Sequence, residues 1–178
     1  ACKPRRRLNR KLIGNIARFV VLALAQVFIF NKVMVSGYVN PMVYVLFILM
    51  LPYDIKGFQL LLLAFLMGLT IDFFMHTPGM HALASVTLAF LRPGVIRLVG
   101  KKDDVEPWQY PNVRDSGSAW FLAYTVILVF LHHLMIFYLE VFRLDEFLRT
   151  FLKVLINTAL STLIIMLIQF LFYSRKTE

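Results

Sequence analysis

The chain has 178 residues, 60% of them hydrophobic and 16% charged, with a mean hydropathy of +0.73 and a formal net charge of +9. A soluble domain of this size keeps about 25% charged residues around one core, so the composition excludes that class and leaves no room for a separate soluble domain. Cys2 is the single cysteine, which excludes intrachain disulfides and cysteine metal clusters.

Residues 1–11 form a basic segment carrying Lys3, Arg5, Arg6, Arg7, Arg10 and Lys11. It is expected on the cytoplasmic side, where each basic residue attracts acidic lipid headgroups by about 1 kcal/mol. It leads into a full-length apolar span with no A-x-A site, so a cleavable signal peptide is not expected. Apolar blocks then follow at 12–31, 38–52, 57–75, 79–99, 119–139 and 154–173. In lipid each must be a helix, because an open strand would leave backbone groups unpaired. The second block is the shortest. Its unbroken apolar part, 42–51, falls below the ~20 residues a span needs, so it must recruit flanking residues, tilt, or thin the bilayer. The expected fold is therefore all-α: a polytopic membrane protein whose residues 12–174 make a compact bundle of six transmembrane helices, with a tail at 175–178.

Charge placement supports the even count. Lys and Arg accumulate in short cytoplasmic segments, and six crossings put fourteen of the nineteen basic residues on the side of the two termini. Five crossings would export the Arg175-Lys176 tail. The one substantial connection, 100–118, reads as a cytoplasmic linker, since Pro107, Pro111 and its mixed charges argue against a helix, while Trp108 and Tyr110 suit docking on the membrane surface or on a cytoplasmic partner. Tyr38, Tyr53, Trp120, Tyr138 and Tyr173 fit interfacial anchoring near the span ends. Residues 145–153 place Phe147, Leu148, Phe151 and Leu152 against Asp145, Glu146, Arg149 and Lys153, the spacing of a periplasmic interfacial helix. The basic residues track topology and do not interleave on a folded face, so nucleic acid is not the expected partner.

Asp72 is the most informative residue. A carboxylate inside a span costs roughly 2.5 to 3.5 kcal/mol, so it must face the bundle interior, a partner or water. Ala64, Gly68, Asp72 and His76 fall four apart and make one stripe on the third span; Ala82, Ser85, Ala89 and Arg92 make another on the fourth. The short Thr77-Pro78-Gly79 connection forces the two spans into an antiparallel hairpin. It brings Asp72 near the unpaired amides that open the next helix, with His81 as a further partner.

The same residues carry a resemblance. Gly68-Leu-Thr-Ile-Asp72 followed by Thr77-Pro78-Gly79-Met-His81-Ala82-Leu83 resembles the signature of the bacterial rod shape-determining MreD family, a G-x-x-x-D pattern, a proline-glycine turn and H-A-L. The turn is one residue shorter than the commoner P-x-G, and the motif covers about a tenth of the chain. The resemblance implies a non-catalytic subunit of the machinery that elongates peptidoglycan, in the bacterial inner membrane, with both termini cytoplasmic. It implies MreC, the actin-like MreB, the glycosyltransferase RodA and a class B penicillin-binding protein as partners. It carries no catalytic residues and no cofactor.

The remaining polar residues have plainer readings. His132 and His133 are adjacent, so a helix points them about 100 degrees apart and they cannot chelate one ion together; packing or pore lining is expected. Asp72, His76 and His81 lack the tight spacing that enforces a metal site. Asn157, Thr158, Ser161 and Thr162 form two i, i+4 pairs suited to interhelical hydrogen bonds, and Arg18 and Gln26 suit the same role. Arg92, just before Pro93-Gly94, is expected near a kink, reaching toward cytoplasmic headgroups. Two other classes compete with an assembly subunit. One is a small-ligand-binding subunit resembling the substrate-binding components of energy-coupling-factor transporters, although the small-residue docking motif of those components is not evident in the first span. The other is an intramembrane enzyme, for which no G-x-S-x-G, HExxH or G-x-G-D is present.

Overall fold

The computed structural model describes residues 3–32, 39–100, 109–141 and 147–173, with side chains between 13 and 172. Five helices are long and apolar enough to cross a membrane: α1 (Lys3–Phe28, its apolar part Ile13–Lys32 running into a 3-10 turn), α3 (Gly57–Met75), α4 (Met80–Val99), α6 (Ser118–Val141) and α7 (Phe147–Tyr173). Two short helices join them, α2 (Val45–Leu49) and α5 (Val113–Ser116), and no β-strand occurs among the described residues. The chain is a multi-pass helical membrane protein. Neighbours pack in the order α1, α3, α4, α6, α7, with α2 enclosed against α1, α3 and α4. Phe58, Phe73, Phe90, Leu98, Leu148 and Leu171 stand out from this bundle into the surroundings, as lipid-facing side chains do.

The second expected span is the main correction. Only Val45–Leu49 of it is helical, yet every residue from Pro41 to Pro52 is buried. Irregular backbone is tolerated at membrane depth only where protein surrounds it and supplies its hydrogen bonds, and the surrounding helices do so. Gln26 of α1 accepts from the amides of Val43 (2.7 Å) and Tyr44 (3.2 Å) and donates to the Pro41 carbonyl (3.0 Å). Asn157 and Ser161 of α7 accept from the amides of Asn40 and Met42, at 2.6 and 3.0 Å. Arg18 reaches the Met50 carbonyl, and Gln169 bonds the Met50 thioether. Helix is unnecessary here because the partners are side chains of other helices.

Those contacts also give the segment a direction. Asn40 lies beside Asn157 and Met50 beside Gln169, so the stretch runs along about 18 Å of α7 at 1.5 Å per residue. Tyr53 continues to the opposite end, where its amide donates to Gln109 O and its hydroxyl meets Ser116. The bundle therefore has a turn end, holding the α3–α4 connection, and a loop end, holding Tyr53, Ser116 and Trp120.

Three further expectations change. Residues 147–153 are not a separate interfacial helix: they are the first turns of α7, one continuous helix about 40 Å long. Contacts of Phe147 with Tyr138 and of Lys153 with Glu140 tie those first turns to α6. The connection 100–118 contains a helical turn, α5, because Asn112 caps it by accepting from the Asp115 amide at 2.8 Å; Trp108 and the rest of 101–108 lie outside the described residues. At the amino terminus α1 reaches back to Lys3, so the basic segment is helical in backbone, while the side chains of Arg5, Arg6, Arg7, Arg10 and Lys11 lie outside the described set, as do Tyr38, the Tyr173 side chain and the tail.

Candidate functional site

Helices α3 and α4 meet closely because the facing residues are small. Ala64 and Gly68 of α3 are buried against Ala82, Ser85 and Ala89 of α4. A Cβ added at Gly68 would fall 2.5 Å from Ala82 Cα and 2.7 Å from its nitrogen, and would also strike the His81 carbonyl. Only glycine allows this crossing.

The turn is built from two left-handed residues. His76 (φ 55°) ends α3, with its amide and that of Thr77 both donating to the Asp72 carbonyl, a Schellman-like closure. Gly79 (φ 79°) then redirects the chain into α4. Pro78 between them has no amide to leave unpaired.

The Asp72 carboxylate, 4% exposed, is received from four directions. Its Oδ1 accepts from Thr77 Oγ1 (2.5 Å), the His81 amide (3.0 Å) and His81 Nδ1 (3.1 Å), and Oδ2 accepts from the Ala82 amide (2.8 Å). Two of these donors are amides at the start of α4 that the helix itself cannot satisfy, and the helix dipole adds to their attraction for negative charge. His81 Nδ1 also lies 3.1 Å from Thr77 Oγ1, and His81 Nε2, which is buried, has no hydrogen-bond partner. His76 of the same stripe is exposed and joins no part of this cluster.

Arg92 does not reach for headgroups. It is 1% exposed, and its guanidinium turns inward to the carbonyls that end α2: Nη1 to Pro52 O, Nη2 to Leu49 O and Leu51 O, with Nε donating to the Tyr124 hydroxyl at 2.8 Å. Tyr124 in turn donates to Leu49 O at 3.0 Å. A fixed cation with five donors suits a buried helix C-terminus whose last carbonyls lack partners. Pro93 lies inside α4.

The other membrane histidines serve packing. His132 Nε2 meets the Tyr44 hydroxyl at 2.8 Å, and His133 bridges Val129 O and Ser161. Asn157 and Ser161 bond the central segment, whereas the Thr158 and Thr162 hydroxyls have no partner. Among the described residues no group of three His, Cys, Asp or Glu side chains could share a metal ion. A cavity of about 110 Å³ opens at the turn end, lined by Asn40, Met42, Met75, Thr77, Met80, His81, Ile136, Phe137, Glu140 and Lys153.

Sequence reasoning brought Ala64, Gly68, Asp72, Pro78, Gly79, His81 and Ala82 to one hairpin, where they lie together, and put Arg92 on the same stripe but with the wrong destination. It missed Thr77 as a carboxylate donor, Gln169, and the Tyr44 and Tyr124 hydroxyls. Thr77 had a visible signal: a hydroxyl five residues after a buried acid in a forced turn. No protein family, curated protein or solved structure matches this chain.

Proposed function

We propose that this chain is a non-catalytic, MreD-like subunit of the bacterial wall-elongation machinery, seated in the inner membrane with both termini cytoplasmic and the buried segment 39–52 completing a sixth, irregular crossing. The observation that carries the reading is the convergence of the resemblance motif. Gly68, Asp72, Thr77, Gly79, His81 and Ala82 are not scattered: each is needed by one braced hairpin, through a close approach, a carboxylate, its donors or a left-handed turn. A motif whose residues are consumed in one structural joint fits a scaffold that presents fixed surfaces to MreC, MreB, RodA and a class B penicillin-binding protein. Support for an even number of crossings comes from Arg18 of α1 and Gln169 of α7, which both contact Met50.

The competing reading is a small-ligand-binding subunit. Sites for such ligands run from about 300 Å³ upward, so the turn-end cavity, at about 110 Å³, is too small to be that site. Depletion of the protein in a rod-shaped host tests the proposal. Rounding of the cells, with co-purification of MreC, is the expected result; unchanged shape with a vitamin uptake defect would move the assignment to the transporter class.

A further inference from the structure

Helix α1 is held by one side. Only 17% of its membrane-crossing part is buried, against 33% to 44% for the other four long helices. Leu22, Ala23 and Gln26 form the buried face, and Gln26 binds the central segment. The opposite face carries Gly14, Ala17, Val21, Leu24 and Phe28, all exposed and spaced alternately three and four residues apart. That alternation is the seam of a left-handed helix pair. Glycine inside a helix is less stable than alanine, and the bareness of Gly68 is used by Ala82, but a Cβ at Gly14 would meet nothing within 4 Å. The gap at Gly14, with Ala17 one turn on, admits the backbone of a second helix from outside.

The seam does not stop at the membrane. Because α1 is one helix from Lys3 to Phe28, the same spacing continues back through Arg10, Arg7 and Lys3. The stripe is small and apolar where the helix crosses and cationic where it leaves, and no Asp or Glu precedes Asp54 in the chain. From this register we infer that the outer face of α1 docks a membrane-spanning helix of another protein, one that carries Asp or Glu where it emerges beside Arg10, Arg7 and Lys3. A second copy of this chain does not fit: both amino termini would lie on one side of the membrane, and the pairing would set these basic residues against their own counterparts. Acidic headgroups attract basic residues on any side of a helix and have no use for Gly14, whereas an opposing helix uses both the gap and the register. The docking face does not depend on the wall-elongation reading.

The test is photo-crosslinking of the full chain in its native membranes, with p-benzoylphenylalanine in place of Val20, an exposed residue flanking the seam. The expected product is a protein adduct whose joined peptide belongs to a membrane-spanning segment bordered by Asp or Glu on the side of residues 3–11. Gly14→Leu combined with Ala17→Leu should lower its yield by about tenfold or more, while the purified variant melts as the parent does. Arg7→Glu combined with Arg10→Glu should weaken the adduct, and Lys in place of the partner's acidic residues should then restore it. Adducts with a second copy, with lipid alone, or with a span that has no acidic border overturn the docking face, as do absence of any adduct and an unchanged yield from the leucine variant. Should that variant fail to fold, the border of the joined peptide and the charge exchange decide: restoration supports the pairing, and its failure overturns it.

Discussion

Gly68 and Ala82 cross at a distance that excludes a single methyl group: a Cβ on the glycine would lie 2.5 Å from Ala82 Cα, inside the contact limit of carbon atoms. The neighbouring atoms are backbone and cannot swing aside. Gly68→Ala must therefore push α3 from α4 and lengthen the bonds from Asp72 to the opening amides of α4. A loss of roughly 1–3 kcal/mol is expected from overpacking alone. Thermal unfolding in detergent should show a clear fall in Tm; an unchanged Tm would mean that the helices can separate freely and that the close approach is incidental.

Substitution of Asp72 separates charge from shape. Asp72→Leu strands the amides of His81 and Ala82 and the Thr77 hydroxyl in a buried site, at about 1–3 kcal/mol for each donor left unsatisfied. Asp72→Asn retains one acceptor oxygen and should fall between the parent and the leucine variant. The order of melting temperatures, parent above Asn above Leu, checks this. Equal stability of the Leu variant would remove the carboxylate from any structural role.

The difference between these residues and Arg92 shows what the sequence could and could not reveal. The Asp72 contacts are local: a four-residue stripe, a three-residue turn and the unpaired amides after it bring donor and acceptor together with no knowledge of the rest of the fold. Arg92 instead bonds Leu49, Leu51 and Pro52, some forty positions away. Periodicity places it on an inward stripe, but an arginine near a helix end has a second destination, the headgroups, and only the tertiary position of α2 decides between them. The central segment failed for the same reason. Its apolar run, short as it is, suits either a span that recruits its flanks or a stretch of chain enclosed by protein, and what distinguishes them is the set of partners Gln26, Asn157 and Ser161 on remote helices.

Arg92 and Tyr124 close the end of that segment together, and their contributions should not add. Arg92→Met leaves the Leu51 and Pro52 carbonyls without their donor, and loss of a buried charged donor exceeds that of a neutral one. Tyr124→Phe removes one bond to Leu49 O and the acceptor for Arg92 Nε, for about 1 kcal/mol. Because the two side chains bond each other and share the Leu49 carbonyl, a double-mutant cycle on denaturation midpoints should return a coupling of about 0.5 kcal/mol or more. Strict additivity would show that each side chain acts alone.

The path of the chain makes a prediction about sidedness. Ser116 belongs to the loop end, beside Tyr53, whereas Thr77 belongs to the turn end, beside His81. If segment 39–52 crosses the membrane, the amino end and position 116 are separated by an even number of crossings and share a compartment, with position 77 facing the other. An impermeant maleimide applied to intact inner-membrane spheroplasts should label a single cysteine at 77 (Cys2→Ser background) and spare both Cys2 of the parent and a single cysteine at 116 (Cys2→Ser background) until the membrane is opened. A fusion reporter at the carboxyl end should share the sidedness of 116. Labelling of Cys2 from the face that exposes 77, with 116 spared, would mean that the central segment re-enters without crossing, and the two chain ends would then lie in different compartments.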